Sequence, residues 1–277
     1  MKRCGLLLVV LFLVAGSANA GLKLWYQMDS ADDFNPHHEY TNRTMVTNNA
    51  TGVVEAAMTS LSGVQQYDPA EGALWMDGDG WANSINGGAW ETGLFTAASS
   101  QYTFSVQAKS STPAGTTNGY SFWMSFSNGA VIKSDLPFRA DTEARFSGPG
   151  TSWENNAYHV WDPAFPAAYV DPASWNTYTF TWDADNNFVG TYVNGILKAS
   201  FTGPGGDVPA FASGTTVTGW GFGDGYFCGA APKGWFKDFR VYDNALTGAE
   251  VAALVPEPAT IALLGFGALA LIRRKRS

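Results

Sequence analysis

Cysteine and histidine are scarce in this chain of 277 residues, which has two cysteines and three histidines. Cys4 lies within the first 20 residues, so only Cys228 remains in the long central part of the chain. A single cysteine excludes an internal disulfide, and no closed zinc site can be assembled from cysteine ligands. His37 and His38 are therefore expected to lie in an exposed polar loop. Stability must come from the packing of a core, with or without a bound ion.

Basic side chains are also few, and they are concentrated at the two ends of the chain. Six of the 16 lysines and arginines lie in residues 1–20 and 255–277, whereas Glu257 is the only one of 24 acids there. Residues 21–254 thus hold ten bases against 23 acids, a net charge of −13. A surface this acidic repels phosphate backbones and anionic lipid headgroups. This excludes nucleic acid as a partner, and attachment to a membrane must come from a terminal segment.

Long apolar runs are confined to the ends, and the first is typical of a signal peptide. Lys2 and Arg3 precede an unbroken apolar run at residues 6–14, and small residues follow up to Ala20 and Gly21. The run is about half of the ~20 residues that cross a bilayer, which favours a cleaved signal over a retained anchor. Residues 1–20 are predicted to be removed between Ala20 and Gly21, which implies export across the bacterial inner membrane.

The C-terminal segment, residues 255–277, combines three features. Pro256, Glu257 and Pro258 are followed by an apolar stretch at residues 259–272 and by four basic residues at 273–276. This order resembles the PEP-CTERM tail of bacterial exosortase substrates. The resemblance implies a short transmembrane helix at 259–272 with a cytoplasmic basic end, and an exosortase-type membrane enzyme that processes the chain near the Pro-Glu-Pro motif. A plain tail anchor is the alternative.

Helical periodicity is absent before Thr247, and the central part of the chain reads as nearly all β. At residues 102–109 apolar side chains occupy every second position, as in a strand with one buried face. Residues 178–201 predict a three-strand meander with turns at 183–187 and at Asn194-Gly195. Further strands are predicted at residues 23–28, 74–76, 120–127, 216–222 and 235–242. Residues 35–66 and 138–174 are expected to be irregular excursions, and Thr247 with Glu250 predicts a capped helix through Leu254.

Four short segments occur in the order found in laminin-G-like domains. They are residues 73–80, 175–182, 191–195 and 237–246. The resemblance implies one domain over residues 21–254, with the concanavalin A-like fold: an all-β, two-sheet antiparallel jelly-roll sandwich. It also implies binding of carbohydrate or protein far more often than catalysis. In many relatives the position of Lys237 is an aspartate that helps to bind calcium, so the lysine puts a calcium site here in doubt.

Catalytic and metal motifs are missing from the sequence. No paired carboxylates of the glycosidase type appear, and Asp141 with Glu143 is expected to be solvated surface. The run from Asp183 to Asn187 resembles the start of a calcium loop, but Phe188 stands where that loop needs glycine, so a hairpin turn is favoured. A structural calcium ion remains possible without a defined ligand set. We expect no enzyme activity, no cofactor and no metal site.

Tryptophans in the predicted loops are the best candidates for ligand contacts, because the apolar faces of sugars stack on exposed aromatic rings. These candidates are Trp81, Trp90, Trp153 and Trp161, with capping of the core as the alternative role. The leading hypothesis is a non-catalytic binding module at the cell surface or in the extracellular matrix, with glycan or exopolysaccharide as its ligand. The alternatives are a structural protein of an extracellular polymer layer and a divergent glycosidase.

Overall fold

A computed structural model of the chain describes residues 21–30, 34–36, 43–48, 53–60, 65–77, 83–87, 100–111, 122–126, 131–134, 143–147, 157–161, 171, 173–201, 217–222 and 233–255. These residues form two antiparallel sheets and one short helix. No helix within these ranges is long and apolar enough to cross a membrane. The predicted signal peptide and the C-terminal tail from residue 256 onward lie outside the described residues.

The first sheet contains the first and the last strands of the domain. Its strands are β1 (Leu22–Tyr26), β5 (Gln65–Asp68), β6 (Ala73–Asp77), β8 (Gln101–Ser110), β13 (Asn176–Asp183), β14 (Phe188–Val193), β15 (Ile196–Phe201) and β17 (Lys233–Tyr242). They pair in the order β15-β14-β13-β8-β17-β6-β5, and β1 also pairs with β17. The final strand β17 therefore lies inside the sheet and β15 lies at its edge.

The second sheet has nine strands among the described residues. They are β2 (Phe34–Pro36), β3 (Arg43–Asn48), β4 (Val53–Ser60), β7 (Asn83–Gly87), β9 (Phe122–Phe126), β10 (Val131–Ser134), β11 (Glu143–Ser147), β12 (Ala157–Trp161) and β16 (Val217–Phe222). Their order is β12-β11-β10-β9-β16-β7-β4-β3-β2. The sheets contact each other where β1 meets β3 and where β15 meets β12. The predicted all-β, two-sheet fold is confirmed.

The alternation of side chains along β8 and β13 builds the core face of the first sheet. Phe104 and Phe180 are directly opposite each other and are 3% and 4% exposed. Their rings stack with centroids 6.1 Å apart. Trp182, at the end of β13, is 1% exposed on the same face. Burying each such ring removes a large apolar area from water, so this aromatic layer is a main source of stability.

A β-bulge in β17 changes which side chains face the core. Phe236 and Phe239 are both fully buried although they are three residues apart, which strict alternation would place on opposite faces. The register with β8 shifts between Lys237 and Arg240, and Asp238 has φ of 52°. The extra residue shifts the alternation of side chains by one position, so that Phe239 faces the core as Phe236 does. The Asp238 N–H donates to the carbonyl of Gln27 at 2.7 Å, which connects the bulge to the segment after β1.

Helix α1 (Gly248–Ala253) closes the described part of the chain and covers half of the outer face of the first sheet. Thr247 and Glu250 form the predicted capping box, in which the Thr247 N–H donates to Glu250 Oε2 at 2.8 Å. Val251 and Leu254 pack against Tyr192 and Tyr242 from the sheet. Leu22 and Leu246 extend the same cluster. The helix is therefore held by an apolar contact with the strands.

Two of the sequence expectations about irregular segments are wrong. Residues 35–66 include most of the paired strands β2, β3 and β4, which form one end of the second sheet. Residues 138–174 include β11 and β12, which pair along five residues at its other end. Cross-strand pairing imposes extended structure on sequences whose own alternation is weak. The described parts of both segments belong to the sandwich itself.

Candidate functional site

The outer face of the first sheet carries a surface of tryptophans and paired charges next to the half covered by helix α1. We call it the tryptophan surface. Its members are Trp25, Trp75, Trp175, Trp235, Asp68, Glu71, Asp238, Lys109, Lys237 and Arg240. All ten side chains are partly exposed. The strands β5, β6, β8, β17 and β1 supply most of them, so the surface is built on a rigid scaffold.

Trp75 and Trp235 lie at the centre of this surface. They are directly opposite each other on β6 and β17, and their neighbours Leu74 and Phe236 are fully buried in the core. Because side chains alternate along a strand, burial of the neighbours directs both indoles outward. The two ring centroids are 4.6 Å apart with an interplanar angle of 50°. The pair forms one continuous aromatic platform.

Asp68 and Lys109 fix the position of the Trp235 ring. The indole N–H donates to Asp68 Oδ2 at 2.8 Å, and the Lys109 Nζ lies 5.0 Å from the ring centroid. Lys109 is opposite Trp235 on β8, so the sheet register places its ammonium group over the indole. A cation over an indole face is attracted by the ring quadrupole. These two contacts restrict the rotation of the ring.

Glu71 connects this group to Trp175. It accepts from the Lys109 Nζ at 2.7 Å through Oε1 and from the Trp175 Nε1 at 3.2 Å through Oε2. The Lys237 Nζ lies 4.3 Å from the centroid of the Trp175 ring. One carboxylate thus orients two elements of the site, the β8 lysine and the indole that precedes β13.

Asp238 organises the other end of the surface around Trp25. Its Oδ1 accepts from the Trp25 Nε1 at 2.8 Å and from the Arg240 Nε at 2.9 Å, and its Oδ2 accepts from Gln107 Nε2 at 3.2 Å. The guanidinium carbon of Arg240 lies 4.9 Å from the Trp25 ring centroid. The bulge is what presents Asp238 to these three donors.

The electrostatics of the tryptophan surface are balanced, since its three acids are matched by three bases. The hydrogen bond from Trp235 lowers the pKa of Asp68, and the hydrogen bond from Lys109 lowers the pKa of Glu71. Both carboxylates are therefore ionised at neutral pH. A glycosidase general acid needs the opposite, a raised pKa that keeps its proton. The arrangement suits binding through aromatic faces and fixed polar groups better than acid catalysis.

The part of the chain that the structure describes contains no cluster of three side chains suited to hold a metal ion. The run from Asp183 to Asn187 forms the turn between β13 and β14, as the hairpin interpretation predicted. Its first carboxylate accepts from the backbone N–H and side-chain amide of Asn186 at 3.1 and 2.7 Å, and from Gln101. Those oxygens stabilise the turn.

Most of the site residues predicted from the sequence lie outside the described residues. Trp81, Trp90 and Trp153 are among them, as are Ala20 and the motif of Pro256, Glu257 and Pro258. Trp161 ends β12 with its backbone opposite Glu143, and its side chain is not among those described. Gly21 is described, and its carbonyl accepts from the Asp243 N–H at 2.9 Å. The role of Trp81, Trp90, Trp153 and Trp161 in ligand binding remains a prediction.

Sequence reasoning missed the four tryptophans that the described structure brings to one surface. A usable signal was present in two strands, where Trp235 and Lys237 flank the apolar Phe236 and Trp75 follows Leu74. If the apolar neighbour faces the core, the tryptophan faces outward. Trp25 carried the same signal, since it precedes the buried Tyr26 on β1. Trp175 carried none, because its role depends on the turn that holds Glu71.

The described strands thus form a two-sheet antiparallel sandwich with tryptophans on one outer face. The model of the concanavalin A-like lectin/glucanases superfamily matches residues 80–252, and the chain belongs to that family. Residues 254–276 match the PEP-CTERM protein-sorting motif. Both resemblances drawn from the sequence are confirmed. No curated protein sequence matches this chain.

Solved structures with the same fold differ widely in sequence. Domain 4 of an extracellular GH43 arabinanase from Geobacillus stearothermophilus, in complex with arabinotriose, is 19% identical with a TM-score of 0.52, and the match covers 85% of this chain and 98% of that domain. The binding domain of botulinum neurotoxin DC, in complex with SialylT, is 14% identical with a TM-score of 0.54 over 86% of this chain and 52% of that one. The chain thus spans about half the length of the neurotoxin domain. At these identities the likeness shows the fold alone.

Proposed function

We propose that this protein is an exported, non-catalytic glycan-binding module that the C-terminal tail holds at the bacterial membrane until an exosortase-type enzyme processes it near Pro256, Glu257 and Pro258. The sorting motif at residues 254–276 supports the second part. The protein then remains at the cell surface or in the extracellular matrix. The tryptophan surface is the observation that carries the first part.

The chemistry of the tryptophan surface matches what a sugar ring presents. The C–H faces of a pyranose or furanose stack on indoles such as the Trp75–Trp235 platform and bury apolar area. Sugar hydroxyls need fixed acceptors and donors at the rim of such a platform. Asp68 and Glu71 supply carboxylate oxygens there, and Lys109 supplies a donor.

Preorganisation supports the same proposal. Three of the four indole N–H groups donate to carboxylates, and three cations lie within 5.0 Å of indole centroids. Side chains already fixed in one orientation lose little entropy when a ligand binds. Ion pairs that water reaches contribute little to stability, so we attribute the network to orientation of the rings more than to support of the fold.

Two of the solved structures with this fold are complexes, one with arabinotriose and one with SialylT. Those ligands belong to those proteins. Their value here is that this sandwich accommodates carbohydrate in more than one protein. The class of ligand that we propose for this chain, an extracellular glycan or exopolysaccharide, follows from the fold together with the tryptophan surface.

A glycan array with the full exported chain tests the proposal, and Trp235 provides the decisive variant. We expect a selective hit whose affinity falls about tenfold in Trp235→Ala, since a loss of about 1.4 kcal/mol in contact free energy equals one factor of ten. Trp235→Phe keeps an aromatic ring and should retain most of the affinity. Circular dichroism of each variant verifies that the fold is retained.

Three results would count against this proposal. An array without any hit would contradict the proposal that the ligand is a glycan. Unchanged affinity in a folded Trp235→Ala variant would show that the tryptophan surface is not the binding site. Loss of binding in Trp81→Ala, Trp90→Ala, Trp153→Ala or Trp161→Ala, but not in Trp235→Ala, would move the site to the tryptophans predicted from the sequence.

A further inference from the structure

Gly21 lies against the segment that follows the last strand, β17. Its carbonyl accepts from the Asp243 N–H at 2.9 Å, and the next residue, Leu22, is opposite Tyr242. A Cβ atom placed on Gly21 would be 1.7 Å from the Asn244 Oδ1 and 3.0 Å from the Asp243 Oδ1. Because a separation of 1.7 Å is a clash, only glycine fits at this position without a shift of Asn244.

The side-chain oxygen of Asn244 is an acceptor that lacks a donor. Within the described residues, Asn244 Oδ1 is buried and has no hydrogen-bond partner. A buried acceptor without a donor costs free energy, so native structures retain few of them. The backbone of Asn244 is held in place, since its carbonyl accepts from the Thr103 Oγ1 at 2.8 Å. A donor for Oδ1 must therefore come from a neighbouring group.

The backbone nitrogen of Gly21 is within reach of both side-chain oxygens. A Cβ atom is about 2.5 Å from the nitrogen of its own residue, so this nitrogen lies within about 4.2 Å of Asn244 Oδ1 and about 5.5 Å of Asp243 Oδ1. In the uncleaved chain it carries one N–H, whose direction the planar peptide bond to Ala20 fixes. Hydrolysis of that bond leaves a carboxylate on Ala20 and an ammonium group on Gly21, with three rotating N–H donors and a positive charge.

We propose that the α-ammonium group created at Gly21 by removal of the signal peptide binds Asp243 and Asn244. The inference rests on the export in the proposed function, because Gly21 must be the first residue of the mature chain. The ammonium group donates to Asn244 Oδ1 and forms an ion pair with the Asp243 carboxylate. The Lys23 Nζ lies 3.0 Å from Asp243 Oδ2, so this carboxylate holds one cation at each oxygen.

The site is specific for one cleavage position. A chain that begins one residue earlier or later carries its ammonium group about 3.8 Å away along the backbone, beyond hydrogen-bond distance of Asn244 Oδ1. Removal of the signal peptide therefore does more than release the chain from the translocation machinery. It adds a polar contact between the start of β1 and the end of β17, which the precursor does not have.

Two chains that begin at Gly21 and at Ala20, and that both extend to Ser277, test this contact. Each is released from a fusion by a protease that leaves no added residue, and is unfolded in urea in a mild detergent that keeps the tail in solution. We expect the unfolding equilibrium constant of the Gly21 chain at pH 6 to be about fivefold smaller, as one charge-assisted hydrogen bond gives.

The pH dependence of this difference shows whether the charge is responsible. The ordinary pKa of an α-amino group is about 8, and an ion pair with Asp243 raises it in the folded protein. The added stability is therefore fully present below the ordinary value and is lost as pH rises through the raised value. The two chains should differ at pH 6 and be equal at pH 10. Lys23 and Tyr242 also titrate at high pH, but they do so in both chains alike.

Two variants provide the matched controls. Asp243→Asn keeps the shape of the side chain without its charge, and should make the Gly21 and Ala20 chains nearly equal in stability at pH 6. Lys23→Gln removes the neighbouring cation from the same carboxylate, and should preserve or increase the difference between the two chains. N-terminal sequencing of the exported protein should give Gly21 as the first residue.

Every other result overturns the inference. Equal stability of the two unaltered chains at pH 6 would show that the ammonium group makes no contact. A difference that persists at pH 10 or in Asp243→Asn would arise from the volume of the additional residue and not from the charge. An exported protein that begins at another residue would exclude the contact and leave glycan binding intact, whereas one that retains residues 1–20 would also contradict the cleavage on which export was proposed.

Discussion

The two halves of the outer face of the first sheet differ in how far their side chains are buried. One half is covered by helix α1, with Tyr242 and Val251 fully buried. The other half is the tryptophan surface, where every side chain is partly exposed and most polar groups are paired. The same strand β17 supplies Tyr242 to the first half and Trp235 to the second. The change along one strand indicates that only the first half is devoted to stability.

The polar contacts of the two halves also differ in burial: they are buried under the helix and partly exposed on the tryptophan surface. Under the helix, Thr103 Oγ1 donates to the Asn244 carbonyl and accepts from the Leu246 N–H, both at 2.8 Å, which satisfies buried groups. On the tryptophan surface the paired side chains are partly exposed, at 24% and 26% for Lys109 with Glu71 and at 21% and 17% for Arg240 with Asp238. Ion pairs that water reaches are worth little to folding. Substitutions in the two halves should therefore separate stability from binding.

The largest effect is expected for Leu246→Ala, in the cluster under the helix. Leu246 is 4% exposed, and truncation of a buried leucine costs about 2–5 kcal/mol through lost transfer energy and the cavity left behind. Urea unfolding should show that loss, while glycan affinity at 25 °C stays unchanged. Ala253→Ser, exposed on the same helix, serves as the control. A loss below that of the control would show that the helix does not stabilise the sheet.

A smaller effect is expected for Thr247→Ala, which removes the capping box of helix α1. The Thr247 hydroxyl accepts from the Glu250 N–H at 3.3 Å, and its own N–H donates to the Glu250 carboxylate. Loss of an N-cap oxygen costs about 1 kcal/mol. Thr247→Ser keeps the oxygen and should unfold at the same urea concentration as the unaltered protein. Equal destabilisation by both variants would contradict a capping role.

The smallest expected effect is on the stability of the fold at low pH, and it arises from the tryptophan surface. The pKa of both Asp68 and Glu71 is lowered in the folded protein, so their contribution to stability is fully present above the ordinary values of 3.8 and 4.5 and is lost as pH falls through the lowered values. Between pH 6 and pH 3 the melting temperature of Glu71→Gln should decrease slightly less than that of the unaltered protein. If the two proteins lose the same number of degrees over this range, ionisation of Glu71 is not coupled to folding.

The sequence contained enough information for the regular part of the first sheet. Alternation at residues 102–109 correctly predicted β8, and Asn194-Gly195 correctly predicted a tight turn, with φ of 49° and 76° at the two residues. The capping box correctly located the start of helix α1. These features depend on neighbouring residues alone, which is why they can be predicted without the tertiary structure.

The remaining features depend on pairing between distant segments. The sequence of β7, Asn83–Gly87, has little β propensity, and it is extended because β4 and β16 pair with it on either side. The bulge at Asp238 occurs without a glycine, so its positive φ could not be expected from composition. Since that bulge places the Asp238 carboxylate between Trp25 and Arg240, the contacts at this end of the tryptophan surface could not have been predicted from periodicity.

The position of β17 has a consequence for how the protein reaches its final state outside the cell. β17 is the last strand to be synthesised, yet it lies between β8 and β6 and also pairs with the first strand, so that Leu22 lies opposite Tyr242. Such contacts between the two ends of a sequence have a high contact order and form slowly. A chain translocated from its N-terminus cannot complete its first sheet until its final strand has crossed the membrane. The topology thus makes the completion of the first sheet depend on the strand nearest the C-terminus of the described chain.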